Sequence, residues 1–423
     1  GPMDNAATNF LPPMPRLTAD LPGVGGRIRQ EFEDFQVEEL ALYEPQGQGP
    51  HTYLWIEKRG IPTMELAHRL ASVLKINARD VGVAGLKDAR AVTRQWVSVE
   101  HLDPARAVTL EGDGWRVLKV STHRNKLRIG HLRGNAFRIR IRGASPGAAT
   151  LARAVIDRLV ACGVPNLFGP QRFGLRGDSH LIGRAIVKGD AKAFCDTLLG
   201  GPRDSDPPAG RTFRTLYDAG NFRGARNALP RGHREHAAVL DGLIRAGGDV
   251  RRAARALPKG MRRFFVSAWQ SALFNEVLAR RMPELGQLMV GDLAWLHDRG
   301  AVFRVVDLEA EQPRADRFEI SPTGPLFGQR MTEPEGMPRE IEETVLADSG
   351  ISVRDLRGPA TKDLKGGRRP LRVPLAGASI EPTDDGLWLS FQLPAGCYAT
   401  TVLDEVMKSG DSERHAEDGD GLE

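Results

Sequence analysis

Within VAGLKDARAVTRQ, residues 83–95, a single carboxylate, Asp88, stands between two cations, Lys87 and Arg90. Nearby positive charge favours the ionised form of an acid, so Asp88 reads as a charged carboxylate at neutral pH. Such a group on a turn can act as a nucleophile, ligate a metal, or simply cap the local backbone. Its surroundings read as strand, tight polar turn, strand. Val81, Val83 and Ala84 run into Gly85, and Ala91, Val92, Thr93, Trp96, Val97 and Val99 supply the β-branched and aromatic enrichment of the second strand.

Other segments must hold that turn in place. Residues 26–29 and 36–40 read as strands around the EFEDF turn, and 51–59 as another. Residues 63–75 read as a helix with Thr63 as N-cap behind Pro62 and an apolar stripe of Leu66, Leu70 and Leu74. Segments 115–120 and 135–142 return to strand. In the second of these, Phe137, Ile139 and Ile141 alternate with Arg138, Arg140 and Arg142, giving one apolar and one cationic face. The loop before it adds Arg124, Lys126 and Arg128, and the clustering favours a groove that tracks phosphates over a plain solvated face. A helix near 151–162 stops at Gly163 ahead of Pro165. Residues 251–263, RRAARALPKGMRR, hold six cations, Arg262 and Arg263 among them, and no acid. LWLSFQL, at 387–393, alternates as a strand and leads into a helix near 400–408.

Composition narrows the chemistry. A chain of 423 residues with 27% charged and 41% hydrophobic residues is globular, with room for two or three domains at about 150 residues each. No run approaches the roughly 18 apolar residues of a membrane helix, and a cytoplasmic protein is expected. Cys162, Cys195 and Cys397 form no C-x-x-C and suggest neither a disulfide framework nor a zinc ribbon. The ten histidines are scattered, and the local pair His233 and His236 lacks the spacing of a zinc hydrolase, so no metal is expected. The GVGG of 23–26 has Ile28 in the place of a third glycine and no strand before it, so it is not a dinucleotide loop. Neither a phosphate-binding GxxxxGK[ST] nor a GxSxG is present. What is left is carboxylate chemistry without a cofactor. The net charge is +5, although Asp411, Glu413, Glu417, Asp418, Asp420 and Glu423 crowd the last 13 residues, so the body is more basic than the whole and suits a polyanionic partner.

Four blocks, in order, carry a resemblance: DFQVEE at 34–39, GLKDARAVTRQ at 85–95, GNAF at 134–137 and GVPNLFGPQRFG at 163–174. They resemble the TruD family of tRNA pseudouridine synthases, and weaker similarity continues through 267–281, 290–292 and 393–400. The resemblance implies an α+β protein, with a mixed-sheet pseudouridine synthase catalytic domain split in sequence around an inserted α/β TRUD domain. The expected division is a flexible leader at 1–22, the catalytic domain at 23–162 and 370–408, the inserted domain at 163–369, and an acidic disordered tail at 409–423.

The resemblance further implies a monomeric, cofactor-free isomerase that flips a uridine of tRNA, at position 13, and converts it to pseudouridine with Asp88 as nucleophile. Lys87, Phe35, Glu39, Asn135 and Phe137 match active-site positions, with Phe137 expected at a strand end where it stacks on the flipped base. Arg29 stands where the family commonly has lysine, a change that keeps charge but not geometry. Arg124, Lys126, Arg128, Arg138, Arg140, Arg262 and Arg263 are the expected RNA contacts. An RNA-binding protein or RNA chaperone with a vestigial turn is the alternative, opposed by the intact Lys87-Asp88 pair. A methyltransferase would need a cofactor loop that is not there.

Overall fold

The computed structural model describes residues 10–12 and 14–409, so the expected acidic tail beyond Ser409 lies outside the described residues. Among the described residues two compact units result: Arg16–Asn166 with the chain from Arg372 to Ser409, and the described part of 10–15 with Leu167–Leu371.

The first unit begins with β1 (Phe35–Ala41), β2 (His51–Arg59), α1 (Thr63–Leu74), β3 (Val81–Val83), β4 (Val92–Glu100), α2 (Pro104–Ala107), β5 (Glu111–Gly112), β6 (Trp115–His123), β7 (Leu132–Ile141), α3 (Ala148–Cys162) and β8 (Val164–Pro165). Helices of the second unit follow: α4 (Ser179–Lys188), α5 (Ala191–Leu199), α6 (Pro208–Asp218), α7 (Phe222–Ala228), α8 (Arg234–Arg245), α9 (Val250–Ala254) and α10 (Lys259–Arg281). That unit continues with β9 (Leu293–Leu296), β10 (Ala301–Arg304), α11 (Leu308–Asp316), β11 (Ile320–Leu326), α12 (Gly336–Asp348), α13 (Val353–Leu356) and β12 (Gly367–Pro370). The chain then returns to the first unit with β13 (Arg372–Val373), β14 (Ala376–Pro382), β15 (Leu387–Pro394) and α14 (Ala399–Met407).

Among the described residues the first unit is built on a nine-stranded sheet in the order β14-β15-β7-β1-β4-β2-β6-β5, with β3 paired to β4. Strand β1 runs parallel to β4 and antiparallel to β7, which makes the sheet mixed. The two outer chain segments meet where β15 pairs with β7, from Leu387 opposite Ile141 to Pro394 opposite Gly134. Both strands alternate, burying Leu387, Leu389, Phe391 and Leu393 on one and Phe137, Ile139 and Ile141 on the other. At Gly134 a Cβ would lie 2.2 Å from the carbonyl oxygen of Leu393, so the glycine of GNAF is required by this close strand approach. Leu66 and Leu70 of α1 pack on Leu54, Ile56 and Val97, joining the helix to the sheet. Helix α3 ends at Gly163, which adopts φ 92 and whose absent Cβ leaves room for the Arg372 side chain.

The second unit carries a four-stranded sheet, β10-β9-β11-β12, and a helical core in which Trp269 and Val277 of α10 pack with Ile182, Phe194 and Leu240. No described helix is long and apolar enough to cross a membrane.

Three local expectations differ from the structure. Residues 26–29 form one isolated bridge, Arg27 to Arg142, and Arg29 turns into the left-handed region at φ 56, which ends any strand there. Pro62 is the N-cap of α1, and the Thr63 hydroxyl bonds elsewhere. Within the expected loose leader, Leu17 and Thr18 are buried, their N–H groups donating to the Glu405 carboxylate, so the packed chain begins earlier than the prolines suggested.

Candidate active site

Strand register gathers the matched residues onto one sheet face. Across it, Lys58 on β2 lies opposite Thr93 on β4, Thr93 beside Val37 on β1, Val37 opposite Phe137 on β7, and Phe137 opposite Phe391 on β15. The adjacent row on the same face brings Glu39 opposite Asn135 and Asn135 opposite Leu393. Period-two alternation is what puts Phe35, Val37 and Glu39 together on that side of β1.

The turn bearing Asp88 joins β3 to β4 and reaches back to this face through side chains. Arg29 Nη1 donates to Asp88 Oδ2 at 2.6 Å and to the Arg90 carbonyl at 3.1 Å, while its guanidinium lies 3.9 Å above the Phe35 ring. The left-handed turn at Arg29 aims that side chain inward. Asp88 Oδ1 accepts the Arg90 N–H at 3.1 Å, a local turn bond that leaves the carboxylate held on both oxygens. Lys87 points into the fold, its Nζ 3.6 Å from Glu39 Oε1, and Glu39 Oε2 accepts the Trp96 N–H at 3.0 Å. Glu39 thus anchors Lys87 and the β4 backbone together. The side chains of Arg29, Lys87 and Glu39 are 3%, 1% and 1% exposed, whereas Asp88 retains 17%. Asp88 is therefore the group of this constellation that an incoming molecule can reach.

Burial pulls the Arg29 guanidinium below the ordinary arginine range, and the Asp88 charge opposes that pull. Lys58 is fully buried beneath the turn. Burial, and then the Lys87 charge, bring its ammonium down to about 7 against the attraction of Asp88. Together these groups leave one reachable carboxylate at the edge of a buried charged cluster, an arrangement that can support nucleophilic chemistry.

Comparison with known proteins decides the family. Residues 13–406 match the family model of tRNA pseudouridine synthase D (TruD). The chain belongs to the tRNA pseudouridine synthase D family. The relative from Geobacter sulfurreducens, a tRNA pseudouridine synthase D, is 47% identical over 93% of this chain and 96% of its own. The Thermus thermophilus relative of the same name is 40% identical over 96% and 97%. The crystal structure of a tRNA pseudouridine synthase D from Methanosarcina mazei superposes with a TM-score of 0.83 at 30% identity, covering 92% of this chain and 95% of that one.

Against the site expected of a TruD protein, the structure brings Asp88, Lys87, Arg29, Phe35, Glu39, Asn135 and Phe137 to one sheet face, with two corrections. Phe137 is only 2% exposed, packed at 6.3 Å edge-on to Phe35 of β1 and at 5.4 Å from Phe391 of β15, the rings that the flanking strands place on either side of it. The ring expected to lie open for stacking on a base is instead buried. The cationic face of β7 is also largely matched within the unit. Arg138 bonds Glu381 at 3.2 Å and lies 4.4 Å above Trp388, and Arg140 is 3.7 Å from both Asp384 and Asp385. The β14–β15 hairpin, far off in sequence, supplies these acids.

Arg124 and Arg128 are exposed on the loop between β6 and β7, and Lys126 donates to the Arg79 carbonyl at 2.8 Å. Arg262 and Arg263 stand in the second unit, near the start of α10, half-buried and exposed respectively.

Sequence reasoning missed Lys58, Gln95, Phe391 and the real task of Thr63. Lys58 had a legible signal: it occupies the inward register of β2 with Leu54 and Ile56, where a cation is out of place.

Proposed function

We propose that this chain isomerises a uridine of tRNA, at position 13, to pseudouridine, with Asp88 as the nucleophile. The observation that carries this reading is the partly exposed Asp88 carboxylate bound to buried Arg29. In the reaction, the bond between ribose C1′ and uracil N1 breaks, the base turns, a bond forms from C1′ to C5, and the hydrogen on C5 is replaced by one on N1. Atoms balance without redox change, so an attacking carboxylate suffices for the covalent work, through ribose or base.

Flipping the base from the stack costs a few kcal/mol, which contacts to the tRNA backbone offset. Arg124 and Arg128 are exposed donors for this purpose. Cations near a helix N-terminus oppose the helix dipole. Lys259, Arg262 and Arg263 at the start of α10 are thus better accounted for by an external anion than by helix stability.

The test is Asp88→Asn, which keeps the size of the side chain and removes its charge. Pseudouridine formation at position 13 is expected to vanish while tRNA affinity and near-ultraviolet circular dichroism stay near those of the unaltered protein. Turnover by the folded variant would refute the assignment.

A further inference from the structure

The backbone of the Asp88 turn is held by side chains drawn from three other elements. Thr63, the first residue of α1, accepts the Lys87 N–H at 2.7 Å and donates its own hydroxyl hydrogen to Gln95 Oε1 at 2.8 Å. Gln95, on β4, donates from Nε2 to the Gly85 carbonyl at 3.3 Å. Lys58, on β2, donates from Nζ to the Ile61 carbonyl at 2.6 Å and reaches the carbonyls of Lys87 and Asp88 at 3.4 Å each. All three side chains are buried.

A plain surface turn needs none of this, since water satisfies its amides and carbonyls. Moreover, a lysine in the register of Leu54 and Ile56 is a poor core residue, because burying a cation is costly unless it is compensated. Here the compensation is the ring of carbonyls, two of which belong to Lys87 and Asp88. None of these hydrogen bonds touches the Asp88 carboxylate, which Arg29 and the Arg90 N–H hold from other directions.

We infer that Lys58, Thr63 and Gln95 are positioning residues, a buried clamp that fixes the backbone of residues 85–88 and so aims the Asp88 carboxylate at its target. The inference rests on the reading of Asp88 as nucleophile. Its chemical logic is that attack requires near-contact geometry, and a misplacement of about 1 Å can cost on the order of 100-fold in rate.

The experiment compares Thr63→Val, Thr63→Ser and Lys58→Met with Asp88→Asn. Single-turnover rate at saturating protein, tRNA Kd and near-ultraviolet circular dichroism are measured on each. Valine replaces the hydroxyl with a methyl of similar size, so Thr63→Val remains informative if Lys58→Met fails to fold. The expected result is a fall of about 10- to 100-fold in the rate of folded Thr63→Val with Kd changed less than about twofold, recovered by the hydroxyl of Thr63→Ser. A folded Lys58→Met falls at least as far. An unaltered rate in Thr63→Val, whatever its melting temperature, overturns the clamp, as does a loss traced wholly to Kd. If Asp88→Asn is inactive in that case, the nucleophile reading stands and the clamp alone falls; if Asp88→Asn is active, both fall.

Discussion

Arg29 reaches Asp88 from a left-handed backbone turn, its Nη1 2.6 Å from Oδ2, with the centre of its guanidinium 3.9 Å from the centre of the Phe35 ring. One side chain therefore joins the Asp88 carboxylate, the turn backbone at Arg90 and the aromatic layer of the sheet. Lysine carries the charge but has neither the planar stack nor the fork of donors. Arg29→Lys is expected to retain a reduced single-turnover rate, and Arg29→Met to lose roughly 100-fold, the effect of about 2.7 kcal/mol. Rates within twofold for both variants would show that the pair is not used in the reaction.

Lys87 and Glu39 form a buried pair, and removing one partner leaves the other charge stranded, at a cost of about 3–5 kcal/mol. Glu39→Gln and Lys87→Met should each lower the midpoint of urea unfolding substantially. The double variant should be less destabilised than the two single losses together. Additive losses in this cycle would mean that the two side chains act independently.

For Phe137 the structure reverses the expectation drawn from its sequence context. Ring packing against Phe35 and Phe391 predicts that Phe137→Ala loses about 3–5 kcal/mol of stability, as core truncations do. Chemical denaturation measures this directly. A variant of near-normal stability with abolished turnover would instead mean that the ring leaves the core to meet the base.

The salt dependence of tRNA binding reports which cations neutralise phosphates. Alanine at Arg124 and Arg128, or at Arg262 and Arg263, is expected to flatten the slope of log K against log salt by up to about one unit for each phosphate no longer neutralised. Alanine at Arg138 should leave the slope nearly unchanged, because that guanidinium is engaged by Glu381 and Trp388. An equal effect at all these sites would place the hairpin face on the RNA.

His180 lies in the second unit, edge-on to Phe173 at 5.3 Å. Burial, aided by Arg184, pulls its value from 6.5 down to about 4. A histidine whose folded value is depressed contributes stability that is full above 6.5 and lost as pH falls toward about 4, since the unfolded chain takes up the proton first. His180→Gln should therefore flatten the decline in melting temperature across that window. An identical decline in both proteins would assign the acid sensitivity to other groups.

Several features are legible in the sequence because their causes are local. Alternation in residues 137–142 and 387–393 marks strands, since side chains two apart share a face whatever lies beyond it, whereas 51–59 and 92–100 are marked by continuous apolar and β-branched runs. Gly85, Lys87, Asp88 and Arg90 mark a polar turn between two strands, and Asp88 there is legible as a candidate carboxylate. The task of Thr63 is not legible in this way, because a threonine behind a proline suits a helix start, while the hydroxyl's actual partners are 24 and 32 residues away.

What sequence alone determined, then, is most of the strands of the mixed sheet, though not Ala376–Pro382 and with 26–29 misread, together with the carboxylate on its turn and, through ordered blocks of similarity, the family. Tertiary structure decided which faces are covered and which charges are matched. Phe137 is buried because β15, far away in the chain, brings Phe391 against it, and Arg138 is paired because the same hairpin presents Glu381. Lys58 meets the carbonyls of Lys87 and Asp88 only because β2 and β4 lie side by side. Periodicity reports which residues share a surface, but burial and ion pairing depend on what packs against it, and that neighbour is supplied by chain closure over long separations.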